Sequence, residues 1–279
     1  MNIYWSQIKK IMRRKQFWVI FILFLGIVFL DFYLTCRNYQ GKMLSEIPSA
    51  YNLIIIDNYF DGSIGDLFFR NFPFFLFVSI IGSDIFYEER HKGIYNFTFT
   101  RMNRYRYMMI QAAALISVVF FVVVLSILLS LGLALTAFPM QGYMLEDVTG
   151  YNSLLATPGY ILSTLRVESP YTNAVLYAFI WGIAGAVFAL LGYSLSFIHQ
   201  LKKYTILLVP MTVYLIYTVI SSQMVSQIKN VKISTAIGTY LLQVNGPGNI
   251  LVYMGILFVV FFISILLILR GLSNDQELL

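Results

Sequence analysis

Charge is what this chain has least of. Asp, Glu, Lys and Arg make up only 11% of its 279 residues, against about 25% in a soluble domain. Hydrophobic residues reach 59%, and the mean hydropathy is +0.75. So little charge excludes an ordinary soluble domain and points to an integral membrane protein. A single cysteine, Cys36, excludes an intrachain disulfide and leaves no cysteine-containing metal spacing. The two histidines, His91 and His199, are far apart, and no His-Glu-x-x-His motif occurs. The one Gly-Lys pair, Gly41-Lys42, is followed by Met43 and has Cys36 where a phosphate loop needs its first glycine. The apolar stretches hold no paired carboxylates. The expectation is a chain without an active site or nucleotide site of its own, binding no cofactor and no metal.

What is present is a series of apolar stretches. A spanning helix needs about 20 mostly apolar residues. Six stretches qualify: Phe17–Leu34, Leu67–Phe86, Met108–Ala137, Asn173–Ile198, Tyr204–Ser222 and Ile250–Leu269. The first lacks a small-x-small cleavage site and is expected to stay as an anchor. With no water in the bilayer core, the backbone must satisfy itself, so the spans are predicted to be helices. Ahead of them, Tyr4, Trp5, Ile8, Ile11 and Met12 recur at helical spacing, with Lys9, Lys10, Arg13 and Arg14 facing elsewhere. That pattern predicts a basic amphipathic elbow helix over residues 2–16, lying in the membrane interface. The predicted fold is all-α: one transmembrane domain over residues 1–279, six spans and an N-terminal elbow.

The net charge of +6 (pI about 9.2) comes from basic residues beside the apolar stretches, where topology explains them better than nucleic acid does. Thirteen of the nineteen Lys and Arg fall at the N-terminus, in the second-to-third and fourth-to-fifth loops and after the sixth stretch. Positive-inside places these segments and both termini in the cytoplasm. Three charges near span ends, Asp31, Arg70 and Asp84, are expected to reach water. The outer segment Ile233–Val244, followed by the turn signal Asn245-Gly-Pro-Gly-Asn249, suits a re-entrant or interfacial excursion. Small residues Ala178, Gly182 and Ala186, with Gly185 and Ala189 beside them, suit close helix packing. The phenylalanines at 68, 69, 72, 74 and 75 are expected to be packed or lipid-facing rather than to line a cargo path.

The largest concentration of charge lies at residues 84–111, DIFYEERHKGIYNFTFTRMNRYRYMMIQ. Acids end one apolar stretch, a glycine follows, then an apolar-aromatic segment, then a basic run entering the next stretch. This resembles the first cytoplasmic loop of the type-2 ABC exporter permeases. Glu89 and Gly93 match that family's glutamate and glycine, and Thr100, Asn103 and Arg104 match its later segment. Arg101 stands where the family often has proline, and Gln111 where it often has lysine. Six spans, cytoplasmic termini and an elbow helix are also shared. The resemblance implies a permease subunit of an ABC exporter in a bacterial cytoplasmic membrane, paired with a second permease copy or a related permease. It also implies a separate ABC ATPase that binds ATP and Mg, and cargo such as a peptide or another amphipathic molecule.

In this reading the loop is a coupling helix. Glu88, Glu89, Arg90, Lys92 and Gly93, with Ile94, Tyr95 and Phe97 as apolar anchors, would dock on the ATPase. His199, Gln200, Lys202 and Lys203 would form a second contact, and Arg101, Arg104 and Arg106 would touch lipid headgroups. The rival expectation is a non-transporting polytopic membrane protein: a sensor, an immunity factor or an assembly scaffold.

Overall fold

A computed structural model describes residues 3–56, 63–69, 73–93, 103–141, 162–198, 200–227 and 250–274. Every regular element among them is helical, as apolar runs without water to complete their backbone hydrogen bonds require. The helices are α1 (Ile3–Met12), α2 (Lys15–Tyr39), α3 (Ile64–Phe69), α4 (Pro73–Ile80), α5 (Ile85–His91), α6 (Arg104–Ala137), α7 (Ser163–Glu168), α8 (Pro170–Leu195), α9 (Lys203–Gln227) and α10 (Ile250–Asn274). Two short 3-10 turns, Leu44–Glu46 and Ala50–Leu53, follow α2. Among the described residues, five helices are long and apolar enough to cross a membrane: α2, α6, α8, α9 and α10.

The second apolar stretch is the exception. The sequence predicts one helix over Leu67–Phe86. The structure divides it into α3, α4 and α5, none of them long enough to cross alone. Proline opens α4, where its missing N–H has no intrahelical partner to lose. At the other end, Ile81–Asp84 turn before α5 begins. Gly82 lets this turn approach α6: a Cβ there would lie 2.9 Å from Leu115 Cδ1. The turn also rests on α8. The Ser83 hydroxyl donates to the Ala189 carbonyl at 2.9 Å, and a Cβ on Gly192 would come within 2.7 Å of Ser83 Oγ. Its backbone stays bonded, with Ser83 N–H to Ser79 O at 3.0 Å and Ile85 N–H to Gly82 O at 3.2 Å. A break in helix is tolerated where protein encloses it, and Ile81–Asp84 are all buried.

Helix α8 is the centre. It packs on α4, α6, α7, α9 and α10. Its small residues face inside the chain: Gly182 meets Phe120 and Val124 of α6, and Gly185 meets Phe74 and Val78 of α4. Phe69, Phe74 and Phe75 are fully enclosed. Phe74 packs on Trp181 and Phe75 on Phe188, so these rings are core.

Helix α1 is distinct from α2, with Arg14 extended at the joint (φ −75°, ψ 137°). Its polar contacts fall on α6 in reverse order. Tyr4 donates to Ser117 at 2.6 Å, Gln7 accepts from Gln111 at 3.4 Å, and Lys10 donates to Tyr107 at 3.4 Å. It therefore runs antiparallel beside the first turns of α6. At 34 residues, α6 is about 51 Å long, well beyond a hydrocarbon core of about 30 Å. The proposed excursion at Ile233–Val244 and the Asn245–Asn249 turn lie outside the described residues, as do Arg70 and Phe72.

Candidate functional site

Charges around α5 gather into one partly buried polar cluster with Asp84 and Glu89 at its buried side. Asp84 is fully buried, Glu89 is 5% exposed, and both face into the protein. Arg14 Nη1 reaches Asp84 Oδ1 at 2.7 Å, and its Nη2 reaches Glu88 Oε1 at 3.0 Å. Lys203 repeats the pattern from the start of α9, 2.8 Å from Asp84 Oδ2 and 2.6 Å from Glu88 Oε1. Two acids and two bases thus form a closed ring of alternating charge. Each charge has opposite charge on both sides, which is what a group taken out of water requires. The expectation that Asp84 reaches water is corrected: the turn buries it, and Arg14 and Lys203 come to it. Asp31, near the other end of α2, is buried as well, accepting from Ser63 Oγ at 2.8 Å and Gly65 N–H at 3.0 Å.

A second group surrounds Glu89. Lys10 is in contact with Glu89 Oε1. The Tyr107 hydroxyl donates to Glu89 at 3.1 Å and the Gln111 amide donates at 2.9 Å. Gln111 Oε1 in turn accepts from Tyr193 at 2.9 Å, which carries the network into α8. Burial pulls the Lys10 ammonium down to about 8, with repulsion from Arg14 and Lys92 in the same direction.

The sequence-predicted site residues divide. Glu88, Glu89 and Lys203 turn inward and are held by intrachain ion pairs. Lys92 points out, with 66% of its side chain exposed and Glu88 Oε2 at 3.7 Å. Gln200 and Lys202 are exposed and Arg90 is half-buried. Gly93 ends α5 in the left-handed region, φ +68°, with its N–H bonded to Arg90 O at 3.2 Å. That is the turn glycine makes without strain. Ile94, Tyr95, Phe97 and His199 lie outside the described residues, as does Arg101. Arg106 is exposed at the start of α6.

Sequence reasoning missed Lys10, Arg14, Tyr107, Gln111 and Tyr193. In the sequence the two cations serve equally as topology signals, and Gln111 stands out only as a departure from the permease pattern. A buried Gln and Tyr on apolar helices were the available signal, since polar side chains at such positions need partners. Among the described residues, no group of three or more His, Cys, Asp or Glu is placed to hold a metal.

No protein-family model, curated protein or solved structure matches this chain.

Proposed function

We propose that the chain is the membrane subunit of an ATP-driven exporter, working with a separate ATPase that docks beside α5. The observation that carries this reading is the ionic cluster. It ties α5 to the α1–α2 joint, to α6, to α8 and to the foot of α9 through side chains, so a push on α5 reaches four neighbouring elements. Glu88 and Glu89 act as internal links in this mechanism, and the outward Lys92, Gln200 and Lys202 belong to the docking surface. The crossing between α2 and α6 is made jointly by α3, α4 and α5, which gives six crossings and leaves both termini with the basic segments in the cytoplasm. ATP and Mg bind to the partner, and a second permease completes the pathway for an amphipathic cargo.

The test is to solubilise a tagged full-length chain gently from its native membrane and identify what copurifies. A Walker-motif ATPase is expected; its absence sinks the exporter reading in favour of a non-transporting membrane protein. With the ATPase in hand, Lys203→Glu should uncouple ATP hydrolysis from transport, and adding Glu88→Lys should restore part of the coupling. Coupling that is untouched by Lys203→Glu would show that the ring transmits nothing.

A further inference from the structure

Beyond the ionic cluster, a groove of about 460 Å³ opens at the opposite end of α2. Tyr33, Arg37 and Gln40 of α2 line it together with Ile47, Ala137 and Phe138. Arg37 lies 22 residues beyond Lys15 on one continuous helix, about 33 Å along the axis. That distance is close to the hydrocarbon thickness, so with α2 spanning the bilayer from Lys15 the guanidinium would reach the headgroup layer of the far leaflet. Arg37 is exposed, and Lys42 stands over the Tyr39 ring, 4.6 Å from its centroid, where Tyr39 also borders the groove. The nearby acid, Glu46, accepts from the Met43 N–H in its own turn at 3.3 Å. The groove therefore offers a cationic end at headgroup depth beside an apolar wall.

We infer that this groove holds one anionic phospholipid of the far leaflet, with the headgroup phosphate on Arg37 and an acyl chain against Ile47 and Phe138. Guanidinium matches phosphate geometry in a way that lysine does not. This site needs α2 to span the bilayer; it does not rest on the exporter reading.

Cys36 lines the same groove and is the chain's one thiol, so it reports occupancy. The full chain is placed in nanodiscs of phosphatidylcholine, with or without phosphatidylglycerol, and Cys36 modification by the neutral reagent N-ethylmaleimide is timed by mass spectrometry. Phosphatidylglycerol should slow the reaction about fivefold, the preference over phosphatidylcholine expected from about one basic contact. Arg37→Ala should remove the slowing, and Arg37→Lys should keep part of it. The proposal falls if phosphatidylglycerol has no effect, or if Arg37→Ala slows as much as the parent. Protection by inorganic phosphate in phosphatidylcholine discs would identify a free-anion site and overturn the lipid assignment. Protection that tracks protein concentration would give the groove to a second copy of the chain, with the same consequence.

Discussion

Helices α8 and α10 are both long and apolar, yet one is enclosed and the other is not. Of the most apolar window of each, 72% is buried in α8 and 17% in α10, although α10 is the more apolar. Hydropathy places a helix in the membrane; side-chain volume decides whether protein or lipid covers it. Helix α8 has glycine where neighbours press along its length, whereas on α10 the crowded glycine is Gly271 near its end, where a Cβ would be 2.5 Å from Phe197 Cβ. A Cβ on Gly182 would be 2.6 Å from Val124, and one on Gly192 2.7 Å from Ser83. On α10 the space around Gly255 is open, beside an apolar groove of about 640 Å³ shared with Phe120 and Phe258.

The sharpest way to break this contrast is to fill both kinds of glycine. Gly192→Leu overpacks the seat of the Ile81–Asp84 turn and should destabilise by about 3 kcal/mol, read as a lowered unfolding midpoint in detergent. Asp84→Asn leaves the same seat in place but takes one charge from the ring. It should cost about 2 kcal/mol, the scale of hydrogen bonds to charged groups, and Arg14→Gln in the same background should recover part of that loss. Tyr193→Phe removes the hydroxyl that donates to Gln111 and should cost about 1 kcal/mol. At the small end, Gly255→Leu and Lys92→Ala change outward positions and should each stay within about 0.5 kcal/mol. If Gly255→Leu proved as damaging as Gly192→Leu, the outward surface of α10 would have to be an interface instead.

Five of the six apolar stretches were legible as helices because each carries enough unbroken apolar residues to span. The second was not, because summed hydropathy is blind to backbone punctuation: the turn at Gly82-Ser83-Asp84 interrupts it while the average stays apolar. The charged region was legible as a concentration of charge, and Gly93 as a turn. The direction in which Glu88, Glu89 and Lys203 point was not, because their partners are remote in sequence. Arg14 and Asp84 are 70 positions apart, and Lys203 and Glu88 are 115 apart. Nothing local in YEERHKG distinguishes a glutamate offered to another protein from one enclosed against Lys10. Tyr107 and Gln111 are the exception, since a polar pair one turn apart on an apolar helix already asks for a partner.

The ring of Arg14, Asp84, Glu88 and Lys203 also carries a consequence in time. Chains emerge from the ribosome at roughly 5–20 residues per second, N-terminus first. Arg14 has already been made when Asp84 and Glu88 appear, so the first half of the ring can close at once. Lys203 follows after about 120 more residues, roughly 6–24 seconds later at those rates. During that interval the two acids share Arg14, with the exposed Lys92 beside Glu88 as the other nearby cation. Arrival of α9 therefore completes the ring, which registers, in one local event, that the fourth long helix is in place.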